Sequence, residues 1–311
     1  MTQEYAPIDF MEGQFVVLDG FQRIPRRRVS KVIRGCGAPM GSLTSKKSAP
    51  VRFLVGDGFH DMERSGDFAV EVDGVVLGHV RDVEECVDLT GARVFGEDEI
   101  IASTGIGLPA NARMSMLRGA LQGEPTRAGW NHAVAVLEAW PDAQGVEDAI
   151  RYAADLTAEW PREVCVASHR WIKRSAQAAA KRMALAGSLE VRNGDDLRSV
   201  LRALDGAPRL EAITFRLVGH WFFPSSIVEA VLRHPRGRLV RSIVLDAPIR
   251  GSGSDAARDA LLKTPLPRLE RLHVRRPPVV PAFDRDEQLE LRARTPAVRA
   301  FDLEGTPLWE Q

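Results

Sequence analysis

Residues 208–215, PRLEAITF, start a pattern that returns three times before the chain ends. It recurs as GRLVRSIVL at 237–245, as PRLERLHV at 267–274 and as PAVRAFDL at 296–303. Two apolar columns run through the four copies, and their members are Leu210, Leu239, Leu269 and Val298, and Ile213, Ile243, Leu272 and Phe301. Members of the first column are 29, 30 and 29 residues apart. A near-constant period of this length is the signature of a stacked repeat architecture.

Each copy joins a short segment to a longer one. In the short segment, residues 212–217, apolar and polar side chains alternate, which is typical of a strand with one buried face. The longer segments, such as residues 195–204, place apolar residues at helical spacing. One strand and one helix cannot bury their apolar sides alone. The sequence therefore predicts stacked units that form a parallel sheet backed by a row of helices.

This arrangement resembles the leucine-rich repeat family in its long form of about 28 to 29 residues per unit. The resemblance covers the chain from about Trp130 to the C-terminus. The asparagine that usually follows each strand in this family has a counterpart only at Asn193, so the repeats are degenerate. The resemblance implies protein binding on outward strand residues, and the candidates are Arg216, Arg241, Arg271 and His273.

The N-terminal segment has a different pattern. Apolar runs at 14–18, 40–43, 51–55 and 74–80 predict strands. Residues 27–34 place Val29, Val32 and Ile33 on one helical face, and residues 82–89 predict a second helix. Further along, residues 97–107 predict a strand followed by a loop, and the methionines and leucines of 114–121 predict a short helix.

Several features of this segment together resemble a BRCT domain. They are the first strand with its DG turn, the Arg that opens the helix, GCG at 35–37, SLTSKK at 42–47 and LVG at 54–56. The likeness is strongest to the BRCT domain that ends bacterial NAD-dependent DNA ligases. It implies a binding module for phosphorylated peptides or DNA ends. Gly20 and Arg27 match the phosphate-binding positions that the family implies, whereas Asp19 replaces the hydroxyl donor with a carboxylate that repels phosphate.

Charge is uneven in this segment. Residues 20–55 contain nine basic side chains and no acidic one, whereas residues 56–89 contain ten acidic side chains and only two basic ones. A basic face can hold a phosphate backbone, and the alternative is a solvated face or one that pairs with the acidic half. The candidate phosphate- or DNA-binding residues are Gly20, Arg26, Arg27, Arg28, Lys31, Lys46 and Lys47.

The whole chain is electrically balanced, with 42 Lys plus Arg against 42 Asp plus Glu. Three scattered cysteines give no disulfide framework and no zinc pattern, and they favour the cytoplasm. The N-terminus has no signal-peptide pattern, and no apolar run approaches the roughly 20 residues of a membrane span. No catalytic, metal or cofactor motif was found, and no small-molecule substrate is evident; the GIG at 105–107 lacks the third glycine of a dinucleotide fingerprint.

The sequence thus predicts an α/β protein with a BRCT-like domain at 13–90, a connector at 91–129 and a leucine-rich-repeat solenoid at 130–311. The predicted function is a non-catalytic adaptor that binds a protein partner. The alternative is a DNA-associated protein, linked to repair or replication, that uses the basic face of the first domain.

Overall fold

A computed structural model describes residues 5–10, 14–17, 21–36, 38, 40, 51–54, 68–72, 75–80, 93–141, 145–167, 169–172, 183–216, 225–248, 255–275, 283–295, 297–302 and 307. Only the backbone is described at 51–54, 68–72, 75–80, 169–170, 225, 247–248, 255–257, 275 and 301–302. The chain forms two compact units, Met1–Leu156 and Thr157–Gln311. Both combine helices with a parallel sheet, so the α/β class is confirmed.

The N-terminal unit contains five strands and five helices in its described part. The strands are β1 (Gln14–Val17), β2 (Val51–Leu54), β3 (Phe68–Val72), β4 (Val75–Val80) and β5 (Arg93–Phe95). The helices are α1 (Arg26–Gly35), α2 (Glu97–Thr104), α3 (Ala110–Leu121), α4 (Arg127–Ala139) and α5 (Val146–Leu156).

Strands β1, β2 and β5 form a parallel sheet in the order β1-β2-β5, and an isolated parallel bridge joins Phe15 to Met40. The predicted strand at 74–80 is present as β4, but it pairs antiparallel with β3 in a separate hairpin. The third strand of the parallel sheet is instead β5, which was not predicted. The predicted helix at 82–89 lies outside the described residues.

The core of this unit crosses the predicted domain boundaries. Phe15 of β1 and Val29 of α1 share one buried cluster with Phe95 of β5, Ile106 and Ala139 of α4. The structure therefore divides the chain after Leu156, which differs from the predicted boundaries at 90 and 129. The reason is physical: the segment 93–139 supplies apolar side chains, such as Phe95, Ile106 and Ala139, that complete the buried cluster around Phe15 and Val29.

Residues 97–104 form a helix, so the prediction of a strand there was wrong. Acidic residues fill its first turn, and the Gly96 amide donates to the Glu99 carboxylate at 3.0 Å. The helix ends at Gly105, whose φ of 66° lies in the left-handed region that glycine tolerates best. The sequence pattern of three acids before two isoleucines obscured these end signals.

The described part of the C-terminal unit contains six strands, which follow one another in both sequence and space. They are β6 (Val166–Ala167), β7 (Ser188–Arg192), β8 (Ala212–Arg216), β9 (Ser242–Pro248), β10 (Arg271–Arg275) and β11 (Arg299–Asp302). All adjacent pairs are parallel, in the order β11-β10-β9-β8-β7-β6. The helices between them are α6 (His169–Ile172), α7 (Leu197–Asp205), α8 (Ser225–Arg233), α9 (Asp255–Lys263) and α10 (Arg285–Arg294).

The register confirms three members of one apolar column and corrects one member of each column. Ile213, Ile243 and Leu272 are register partners, and each is fully buried. Leu272 pairs next with Ala300, so Phe301 is the register partner of His273 and lies one position outside the Leu272 row. Leu239 is 42% exposed, because the 30-residue step from Ile213 to Ile243 moves the buried position to Val240.

We expect Gly105→Ala to destabilise the N-terminal unit by about 1–3 kcal/mol, because alanine at this position would have to keep the left-handed φ of 66°. That Cβ would also lie 2.9 Å from Cγ of the buried Arg113. The matched control is Gly119→Ala in α3, where nothing lies within 4 Å of the new Cβ and helix propensity predicts a gain of about 0.5–1 kcal/mol. Chemical denaturation of the full chain measures both, and equal effects would contradict this assignment.

Candidate interaction surfaces

The parallel sheet of the C-terminal unit has one buried face and one outer face. Ile213 and Phe215 are fully buried, whereas Thr214 is half-buried and Arg216 is exposed. The same alternation applies to β10, where Leu272 and Val274 are fully buried. We define the outer face as the strand residues that alternate with these buried ones. It includes Arg216, Arg271 and His273 from the predicted set, and Arg241 lies just before β9.

Charged side chains cross three strands of the outer face in alternating order. Glu190 accepts a hydrogen bond from Arg192 at 2.7 Å and forms an ion pair with Arg216 at 3.3 Å, and Arg216 also lies 3.5 Å from the Asp246 carboxylate. Arg192, Arg216 and Asp246 are register partners on β7, β8 and β9. The Glu190 side chain is only 14% exposed, and a charge with so little contact with water requires partners. The guanidinium groups of Arg192 and Arg216 provide them at close range.

Similar pairs line the edge where the strands begin. Arg241 lies 3.2 Å from Glu270, and Arg162 lies 3.4 Å from Glu211. The Arg241 and Glu270 side chains are both nearly half exposed, so the pair contributes about 0.2–1 kcal/mol. Two of the four predicted protein-binding residues, Arg216 and Arg241, therefore already bind carboxylates of neighbouring repeats.

Arg271 and Arg299 differ from these paired residues. They are register partners on β10 and β11, and both are exposed. Neither side chain has an ion pair or hydrogen bond to a residue that the structure describes. Neighbouring strands are about 4.8 Å apart, and like charges directly opposite each other destabilise a sheet. The half-buried His273 lies two residues further along β10, on the same face.

In the N-terminal unit, α1 separates its basic residues into two sets. Arg26 donates to the Val17 carbonyl at 3.0 Å, and Arg28 donates to the Ala139 carbonyl at 3.4 Å. Arg27, Lys31 and Arg34 are exposed, and none has a partner among the described residues. The predicted candidates Gly20, Lys46 and Lys47 lie outside the described residues.

The three exposed residues Arg27, Lys31 and Arg34 form what we call the basic stripe. Their spacing of four and three residues places them on one side of the helix. Val29, Val32 and Ile33 are buried on the other side. The prediction of a basic face on this helix thus gains a defined geometry, with Arg34 added to the candidate set and Arg26 and Arg28 drawn toward backbone carbonyls.

A buried carboxylate that the sequence analysis missed fixes the segment before α1. Glu97 is fully buried, and its carboxylate accepts from the amides of Gln22, Arg23 and Ile24 at 3.1, 2.8 and 3.0 Å. Three successive amides form a concave site for an anion, and the Glu97 side chain occupies it from within the protein. The only sequence signal was the excess of acidic residues at 97–99.

A second buried charge lies nearby in the same unit. Arg113 of α3 is 1% exposed, and its guanidinium lies over the Trp140 ring at 5.2 Å. Burial is the larger cause, and the neighbouring Arg28 the smaller, of a lowered pKa for Arg113. This contact is a cation–π interaction in a region of low water content, where such interactions are strongest.

The C-terminal unit also contains a cavity of about 220 Å³ near the edge where β6, β7 and β8 begin. Its walls include Trp160, Arg162, Cys165, Arg209 and Glu211. Two arginines and one carboxylate line it, and Arg162 lies 3.4 Å from Glu211.

No group of three or more His, Cys, Asp or Glu side chains in the described ranges could hold a metal ion. In the same part of the chain, no helix combines the length and apolar character needed to cross a membrane. Comparison with known proteins found no matching family model, no matching curated protein and no matching solved structure.

We expect Glu97→Gln to lower the free energy of unfolding by about 1–3 kcal/mol, because a neutral amide is a weaker acceptor and places an NH2 group near backbone donors. Asp98→Asn is the matched control, since the Asp98 pair with Arg23 is largely exposed. Chemical denaturation with amide hydrogen exchange at residues 22–24 measures both effects. Equal stability of the two variants would contradict the role given to Glu97.

Proposed function

We propose that this protein is a non-catalytic adaptor that binds a protein partner on the outer face of the C-terminal sheet. The observation that carries the proposal is the six-stranded parallel sheet in sequential order, with one face buried and charged residues on the other. Such a surface is continuous across repeats, and repeat proteins use surfaces of this kind for binding. The sequence resemblance to leucine-rich repeats supports the same assignment.

The ion pairs across the outer face support a binding role because they hold side chains in place before a partner arrives. Arg216 is held between Glu190 and Asp246, so its guanidinium loses less conformational freedom on binding. The steps between register partners are 22, 24, 30, 29 and 28 residues from β6 to β11. The longer steps near β9 to β11 agree with the unit length that the resemblance implies.

The cellular setting that we propose is the cytoplasm. Cys36 and Cys165 are buried free thiols, which is the usual state of cysteine in a reducing compartment. The BRCT-like segment would act as a second binding module in the same chain. We propose residues 13–90 as its boundaries, as the resemblance implies. Its buried core also includes side chains from the segment after residue 90.

The second candidate function is DNA association through the basic stripe. Arg27, Lys31 and Arg34 project from one side of α1 with no described acidic partner, which leaves three positive charges for phosphate groups. Arg26 and Arg28 are engaged by carbonyls and would contribute less. This candidate uses a surface of the N-terminal unit, so it is compatible with an adaptor role for the sheet.

We expect Thr214→Arg with Val244→Arg to lower partner capture at least about tenfold, because two long cations in the middle of the outer face would block docking. Affinity capture from cell extract identifies proteins whose recovery falls, and calorimetry with purified components then confirms direct binding. The control adds the same side chains on the helices through Ser226→Arg and Leu289→Arg. An outer-face variant that retains every partner would refute the adaptor proposal.

For the second candidate, we expect the full chain to bind a short DNA duplex with an affinity that falls as salt rises. Lys31→Glu with Arg34→Glu should weaken binding at least about tenfold and reduce the salt slope by about two. Fluorescence anisotropy at two salt concentrations, with and without a 5′-phosphate on the duplex, measures this. Affinity that does not depend on salt would exclude the DNA candidate.

A further inference from the structure

We propose that Arg271 and Arg299 form a recognition pair for carboxylates, so that the partner of the outer face presents an acidic protein segment to β10 and β11. This inference rests on the proposed adaptor function and names the chemistry of its partner. It concerns one end of the sheet, where the balance of charge on the outer face changes.

The distribution of paired and unpaired charges along the sheet supports this assignment. On β7, β8 and β9, Arg192 and Arg216 are balanced by Glu190 and Asp246 within 3.5 Å. At the strand start of β10, Glu270 is paired with Arg241. The next positions, Arg271 and Arg299, are adjacent, exposed and without an acidic partner among the described residues. A folded protein that keeps two like charges side by side gains most from a bound anion.

The geometry of the pair fits carboxylates on a protein. Each guanidinium can bind one carboxylate through two parallel hydrogen bonds. The strand spacing of about 4.8 Å is close to the distance of about 5–6 Å between residues one turn apart on a helix. Two acidic residues three or four positions apart on a partner helix can therefore reach both arginines at once.

The remainder of the outer face disfavours a nucleic acid at this site. A phosphate backbone that followed the sheet from β11 toward β7 would approach the carboxylates of Asp246 and Glu190. Like-charge contacts across an interface reduce affinity for the wrong partner. A protein segment can place its acidic residues opposite Arg271 and Arg299 and neutral or basic residues opposite the acidic end.

The test uses the full chain and a fluorescein-labelled octaglutamate peptide at low salt, with binding followed by anisotropy. We expect Arg271→Glu with Arg299→Glu to weaken peptide binding at least about tenfold, because each substitution replaces a favourable contact with repulsion. Arg233→Glu with Lys263→Glu is the charge-matched control, since it makes the same charge change on α8 and α9, where both side chains are 70% exposed, and should leave most of the peptide binding intact. The neutral variant Arg271→Gln with Arg299→Gln should also weaken binding, and thermal unfolding verifies that each variant is folded.

A DNA duplex of about fifteen base pairs is the second probe. If DNA depends on Arg271 and Arg299 more strongly than the peptide does, or if the peptide does not bind or is unaffected by both arginine variants, the inference is overturned. The adaptor proposal fails on a different result, namely that Thr214→Arg with Val244→Arg retains every partner. If Thr214→Arg with Val244→Arg abolishes partner capture while the arginine variants retain partner and peptide, the adaptor function stands and the acidic-partner assignment falls.

Discussion

The C-terminal unit depends on the pairing of each parallel strand with the next. The amides of Glu211, Arg241, Glu270 and Arg299 each donate to a carbonyl of the preceding repeat, at 2.8 to 2.9 Å. These bonds fix the register that places Ile213, Ile243 and Leu272 in one buried row. Because a strand and a helix bury too little apolar surface alone, both the ladder and the core exist only when the units are stacked.

The same register determines which charges meet on the outer face. Alternate residues of a strand point to opposite sides, so a shift of one position would exchange buried and outer sets. The observed register brings Arg216 between two carboxylates and puts Arg271 next to Arg299. One part of the sheet is thereby stabilised by its own ion pairs, and another part retains charge that a partner can neutralise.

In the N-terminal unit, a buried carboxylate holds the backbone in place, as the hydrogen bonds between strands do in the C-terminal unit. Glu97 binds the amides of residues 22–24 and thus sets where α1 begins. The position of α1 in turn decides which basic residues reach carbonyls and which form the basic stripe. The two units therefore present two separate basic surfaces, the basic stripe on α1 and the pair of Arg271 and Arg299 on the sheet.

The sequence by itself determined the repeat, the alternation within each strand and the apolar side of α1. These features are local, because a period of two or 3.6 residues and a spacing of about 29 residues can be read from neighbours along the chain. Sequence spacing also identified Ile213, Ile243 and Leu272 as one column. It identified Arg27 and Lys31 as surface cations on the polar side of a helix.

Only the tertiary structure decided the remaining features, because they depend on residues that are distant in sequence. Glu97 meets the amides of residues 22–24 from more than 70 positions away. The one-residue shift that exposes Leu239 and buries Val240 follows from strand pairing, which a simple repeat alignment does not contain. The contrast between the paired Arg216 and the adjacent Arg271 and Arg299 likewise arises from register, because it requires knowing which side chains on neighbouring strands stand opposite each other.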